Sequence, residues 1–184
     1  MTTIIREGDF LYSDSRYSSY YGGFRTLHDG PGKMYLAPNR KAAIGMAGAY
    51  NPDIPYDLIT DMVERAIEEL QKYPNSKMRI GDNVHDFYKQ RREQAKDDPD
   101  FDTHDFQLLI CTLKGTFIFN CFNDNTVEFY HNRTVRFGIG SGSMYYPPFR
   151  DMDIPIEEKF KLIYLSDPAS GGPINVFDLK ELEV

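Results

Sequence analysis

The chain of 184 residues has no tryptophan, only two cysteines and no excess of basic residues. No apolar run approaches the roughly 20 residues of a membrane-spanning helix. Lysine and arginine number 21 against 28 aspartates and glutamates, a net charge of −7, which argues against the basic face of a nucleic-acid binder. Cys111 and Cys121 each lie in an apolar, strand-like run with no Cys-x-x-Cys pair, so both read as buried thiols. The histidines (His28, His85, His104, His131) lack metal-ligand spacing, and neither a metal nor a cofactor is expected. Arg6, Glu7, Asp9 and Asp14 make the start unlike a signal peptide, so the expected location is the cytoplasm, with no membrane partner.

What is present suits a soluble globular fold. Hydrophobic residues make up 41% and charged residues 27%, and 13 Phe with 13 Tyr supply core bulk in place of tryptophan. No internal repeat or linker is visible, so residues 1–184 are expected to form one domain.

Short β-prone runs at 3–6 and 10–13, split by Glu7-Gly8-Asp9, predict a hairpin. Residues 17–32, rich in Tyr, Ser and Gly, predict a loop with one extended piece. The aromatics Tyr17, Tyr20, Tyr21 and Phe24 within it could stack a ligand or pack on the core. Lys33 to Ala37 and Lys41 to Ala47 predict a second hairpin, and Gly45-Met46-Ala47-Gly48-Ala49 is small enough for close approach of a backbone or a ligand. Leu58, Ile59, Met62, Val63, Ala66, Ile67 and Leu70 form a helical stripe over about 55–72. A second, more polar helix is predicted near 83–96, then an acidic connection from Asp97 to Asp105. Strands are predicted at 106–113, 116–122, 126–130 and 135–139, joined by hairpin-length turns. The first two are apolar on both faces and therefore central. A Pro-rich piece, a helix at about 155–165 and a last strand at 174–179 complete the chain. This order suits an α+β architecture, a four-layer αββα sandwich of two stacked antiparallel sheets covered by helices.

Thr2 raises a question of chemistry. A threonine hydroxyl is a poor nucleophile until a base takes its proton. If Met1 is cleaved, the new α-amine of Thr2 is such a base, with a reference pKa of about 7.7–8.0. A nearby ammonium would lower that value, and a carboxylate would hold the ammonium in place. Gly30-Pro31-Gly32-Lys33 is not a phosphate-binding loop, because the glycine spacing and the Ser/Thr after the lysine are missing.

Five blocks in order give this chemistry a context. They are Met1-Thr2-Thr3-Ile4; Ser13-Asp14-Ser15-Arg16; Gly32-Lys33 with Ala43-Ile44-Gly45-Met46-Ala47-Gly48; Ile139-Gly140-Ser141-Gly142-Ser143; and Asp167-Pro168-Ala169-Ser170-Gly171-Gly172 with Asn175-Val176-Phe177. Together they resemble the proteasome β-subunit family and the related bacterial ATP-dependent threonine peptidase, both N-terminal-nucleophile hydrolases. The resemblance implies roles. Thr2 would be nucleophile and base, Lys33 would tune the Thr2 amine, and Asp14 would orient Lys33. Ser141, Asp167 and Ser170 would relay the proton. The Gly48 backbone N–H would hold the oxyanion, Ser18 would pair with an extended substrate, and Met46 would line an apolar pocket. A peptide or unfolded-protein substrate and a homo-oligomer are implied, and a ring and an ATP-dependent unfoldase partner are left open.

Each residue taken alone has an ordinary explanation: a solvated strand-end lysine, a turn aspartate, a Gly-Ser loop. The segment from Ser141 to Asp167 is also shorter than the family's, with Pro147-Pro148 and Pro155 where a longer helix is usual. A second function on the same fold is a non-catalytic scaffold or interaction protein that retains Met1 and grips a partner through residues 17–24 or 97–105.

Overall fold

The computed structural model describes residues 2–21, 24–30, 33–37, 40–48, 56–73, 82–83, 86–87, 89–90, 93, 106–120, 126–130 and 136–183. The first hairpin pairs β1 (Ile4–Glu7) with β2 (Phe10–Ser13). Glu7 faces Phe10 across a two-residue turn in which Gly8 has φ +63°, a conformation glycine takes without the Cβ clash other residues suffer. The strand β10 (Arg136–Ile139) flanks β1, and β11 (Asn175–Asp178) flanks β2. These make a four-stranded antiparallel sheet in the order β10-β1-β2-β11. The other sheet has five antiparallel strands: β5 (Met34–Leu36), β6 (Ala43–Gly48), β7 (Phe106–Cys111), β8 (Thr116–Asn120) and β9 (Thr126–Tyr130).

Strand alternation builds the layers. Ile4, Leu11, Ala43, Ala47, Leu109, Cys111 and Ile139 meet in one cluster between the sheets. Their neighbours point outward. Ile44, Leu108, Ile110, Phe117 and Phe119 pack under Ala66, Ile67 and Leu70 of α1 (Tyr56–Lys72). On the other side, Ile5 packs with Tyr146 and with Phe160 and Ile163 of α2 (Ile156–Ser166). Helix, sheet, sheet and helix therefore stack as the αββα sandwich expected from the element order. The inner face of β6 is Ala43, Gly45 and Ala47. A Cβ at residue 45 would lie 2.8 Å from Ile4 Cγ2, so the small residues there admit the facing sheet rather than a ligand.

Two expectations are corrected. The described residues of 17–32 are not a loop. They hold an antiparallel ribbon of β3 (Arg16–Tyr21) and β4 (Phe24–Asp29), because Tyr, Thr and Phe favour the extended chain more than the serines oppose it. The chain also does not turn back in a hairpin between β9 and β10. It changes sheet, and β10 pairs with β1 in the register Ile4↔Ile139, where Phe137 and Ile139 complete the interlayer face. The Pro-rich piece forms two short 3₁₀ helices, Ser141–Tyr145 and Pro147–Phe149. The predicted polar helix is helical at 82–83, 86–87, 89–90 and 93, with Phe87 against the α1 cluster. Met1, Cys121, His85, His104, His131, the 97–105 connection, and the side chains of Ser18, Tyr20, Tyr21, Phe24 and His28 lie outside the described residues.

Candidate active site

Antiparallel pairing brings separate pieces of sequence to one end of the sandwich. The start of β1, the end of β2, the end of β10 and the start of β11 lie together, because Ile4 pairs with both Ser13 and Ile139, and Ser13 with Asn175. In the facing sheet the end of β6 and the start of β7 share that end, with Gly48 opposite Phe106. Lys33, just before β5, accepts the Met46 N–H on its carbonyl. Thr2, Asp14, Lys33, Gly48 and Ser141 thus sit at or next to the ends of strands whose apolar alternation fixes their register, while Asp167 and Ser170 come from the end of the helix Ile156–Ser166 and the turn after it.

Asp14 is fully buried and is the hub. Its Oδ1 accepts from Lys33 Nζ at 2.8 Å and from the Thr3 N–H at 2.8 Å, and its Oδ2 accepts from the Gly171 N–H at 3.2 Å. The Asp14 N–H in turn donates to the Thr3 carbonyl at 3.0 Å. Burial pushes the Asp14 carboxyl above its ordinary value, against the pull of the Lys33 charge. Burial lowers the Lys33 ammonium below its ordinary value. Asp14 and Asp167 oppose that change, and Arg16 adds to it. The Lys33 ammonium also lies 5.2 Å from the centre of the Tyr17 ring, a cation–π contact that favours the charged form.

Asp167 caps the end of α2 and gathers a second group. Its Oδ2 accepts from Ser141 Oγ and from Ser170 Oγ, each at 2.8 Å, and its Oδ1 accepts from the Ala169 N–H at 3.1 Å. Ser170 Oγ accepts from Thr3 Oγ1 at 2.7 Å. Thr2 lies against this network, 4% exposed, and its carbonyl accepts the Gly142 N–H at 3.2 Å. Two glycines permit that approach. A Cβ at residue 140, where φ is +85°, would strike the Thr2 carbonyl, and a Cβ at residue 142 would strike Thr3 Oγ1 and Ser170 Oγ. Gly48 ends β6, exposed, with φ +131°.

Six expected residues, Thr2, Asp14, Lys33, Ser141, Asp167 and Ser170, therefore fall into one connected neighbourhood. Met46 is half-buried against the α1 cluster, and Ser18 lies on β3 opposite Leu27. The sequence reading missed three contributors. Thr3 donates its N–H to the Asp14 carboxylate and its hydroxyl to Ser170 Oγ, which in turn donates to Asp167. Arg16 places its guanidinium over Gly171 and donates to the Ser170 carbonyl at 3.5 Å. Gln107 Oε1 accepts the Gly140 N–H at 2.8 Å, while its Nε2 donates to Asn120 Oδ1 at 2.6 Å. The one available signal for Gln107 was its place in the alternation of β7, a polar side chain on the face that Leu109 and Cys111 bury between the sheets. Among the described residues no three His, Cys, Asp or Glu groups are placed to hold a metal ion. No helix among them is long and apolar enough to cross a membrane.

No family model and no curated protein matches the chain. Solved structures do. Eukaryotic HslV from Trypanosoma brucei is similar with a TM-score of 0.56 and 15% identity, over 96% of this chain and 97% of that one. BPH from Thiobacillus denitrificans, solved in complex with epoxomicin, is similar with a TM-score of 0.53 and 16% identity, over 96% of each chain. Layer order, sheet topology and these likenesses agree: the chain has the proteasome-like fold of the N-terminal-nucleophile hydrolases.

Proposed function

We propose that the chain is a threonine peptidase that cleaves peptide bonds with the Thr2 hydroxyl once Met1 has been removed. The observation that supports this most is the buried Lys33–Asp14 pair, fastened through the Thr3 N–H to the residue beside Thr2. A buried ion pair is expensive to build and is weak evidence for stability, so its place next to a hydroxyl with a candidate base calls for a chemical reason.

In this reading the freed Thr2 amine takes the proton from Thr2 Oγ1, and Oγ1 attacks the substrate carbonyl carbon. The carbonyl π pair moves onto oxygen, which the Gly48 backbone N–H receives. Collapse of the tetrahedral species breaks the C–N bond, and the leaving nitrogen takes the proton held by the Thr2 ammonium. An ester on Thr2 remains. The amine then deprotonates water, which attacks the ester and restores the hydroxyl. The Lys33 ammonium keeps the Thr2 amine unprotonated near neutral pH by repulsion, and Asp14 holds Lys33 in place. Ser141, Asp167 and Ser170 fix the amine and relay its proton. Ser18 on β3 pairs with an extended substrate, and Met46 gives the pocket an apolar side. The reaction requires no cofactor. The resemblance extends the proposal to a cytoplasmic homo-oligomer acting on peptides or unfolded chains, with an ATP-dependent unfoldase as the partner to test for.

The test is intact mass of the protein made in cells, followed by hydrolysis of short apolar peptides. The protein is expected to begin at Thr2, to lose activity to background as Thr2→Ala, and to gain the mass of epoxomicin only when Thr2 is present. Retained Met1 with no Thr2-dependent hydrolysis would turn the assignment to a non-catalytic scaffold.

A further inference from the structure

We propose that Thr3 is a positioning residue whose side-chain hydroxyl, acting through Ser170, sets the direction of the hydrogen-bond chain beside Thr2. The inference rests on the threonine-peptidase reading and adds to it a hydroxyl to which that reading gives no role.

Thr3 is fully buried, and each of its polar atoms is engaged. Its N–H and carbonyl are both taken by Asp14, at 2.8 and 3.0 Å. Its Oγ1 lies 2.7 Å from Ser170 Oγ. Ser170 has one hydroxyl proton, and it goes to Asp167 Oδ2 at 2.8 Å. The Thr3–Ser170 contact can therefore be made only with Thr3 as donor. The order is then fixed as Thr3 to Ser170 to Asp167. It leaves Ser170 with its proton committed and one acceptor site open to a donor at Thr2.

A third segment closes on this contact. Gly142, whose N–H holds the Thr2 carbonyl, has no room for a Cβ because the Thr3 and Ser170 hydroxyls occupy that space. The strand carrying Thr2, the 140–143 turn and the 167–171 turn meet at the Thr3 hydroxyl. A group at that junction with no other hydrogen-bond task serves to keep Ser170 from rotating away from the nucleophile. Without the Thr3 donor, Ser170 Oγ keeps only its bond to Asp167 and loses one of the two contacts that hold its rotamer, and the relay loses order.

The experiment compares wild type, Thr2→Ala, Thr3→Val and Thr3→Ser in steady-state peptide hydrolysis, with thermal melts alongside. Thr3→Val keeps the shape and removes the hydroxyl. It is expected to lower kcat by about tenfold or more, the usual scale for losing one buried hydrogen bond, while KM changes little. Thr3→Ser is expected to restore kcat. If Thr3→Val melts below the assay temperature, Thr3→Ala carries the same test. A Val or Ala variant with wild-type kcat, or a Ser variant no better than Val, overturns the inference and leaves the peptidase reading standing. Wild type without Thr2-dependent hydrolysis overturns the reading, and this inference with it.

Discussion

At the scale of single residues, the balance of charge around Lys33 is finely divided. Burial and the neighbouring Arg16 favour the neutral amine, while Asp14, Asp167 and the Tyr17 ring favour the ammonium. Under the proposed mechanism the ammonium is the working form, so activity should fall on the alkaline side as Lys33 loses its proton, below the pH at which an exposed lysine would do so. Removing the ring removes a stabiliser of the charged form, and the Lys33 pKa must fall further. Tyr17→Leu is expected to move the alkaline limb of the kcat/KM profile to lower pH by about one unit or less, and Tyr17→Phe to leave it in place. An unmoved limb in Tyr17→Leu would show that the ring contributes packing alone. Tyr17 illustrates what single residues conceal. Its chemistry was visible in the sequence as one aromatic among several, but its partner stands sixteen positions away across a ribbon that did not look like one.

Elements carry the next level of control. The turn at 140–143 must lie flush against two hydroxyls, and only hydrogen on Cα fits at residue 142. Gly142→Ala would set a Cβ 2.7 Å from Ser170 Oγ and 3.0 Å from Thr3 Cβ. Such overpacking typically costs about 1–3 kcal/mol. Gly8→Ala is the control, at the far end of β1. Nothing lies within 4 Å of its Cβ, so its cost comes from φ +63° alone, roughly 1–2 kcal/mol. Peptide hydrolysis and denaturant unfolding measured together should separate them, with both variants less stable and only Gly142→Ala impaired in turnover beyond its loss of fold. Most elements were legible in the sequence because alternation and the α1 stripe are local patterns. The exchange of sheet between β9 and β10 was not, because a short polar turn looks the same whether the chain returns to its neighbour or crosses over. The residues of the candidate site were legible as a set of five blocks. The Gln107 and Thr3 contacts were not, since each depends on which strand lies opposite.

For the whole molecule, the interlayer cluster supplies a probe of its own opening. Cys111 lies fully buried between the sheets, where desolvation raises its thiol to about 11, against the opposing effect of Arg6 and Thr116. At pH 8 only about one molecule in a thousand would carry the reactive thiolate at that site, before access is considered. Alkylation followed at the Cys111 peptide should therefore be far slower than for a free thiol and should rise to the free rate as denaturant separates the layers. Labelling of the native protein at the rate of an exposed cysteine would contradict the packing of the sandwich.

Ile4 links that interior to the end that carries the candidate site. Its side chain fills the space that Gly45 leaves open, two residues along the strand from Thr2. Under the proposed mechanism, how deeply that isoleucine seats would set how far the strand slides toward the opposite sheet, and so where Thr2 stands relative to Gly48. A methyl group lost or gained in this core would then register as a change of aim at the mouth as well as a change of melting point. On the peptidase reading, stability and turnover are expected to change together in variants of this core, with little freedom to tune one while the other is held.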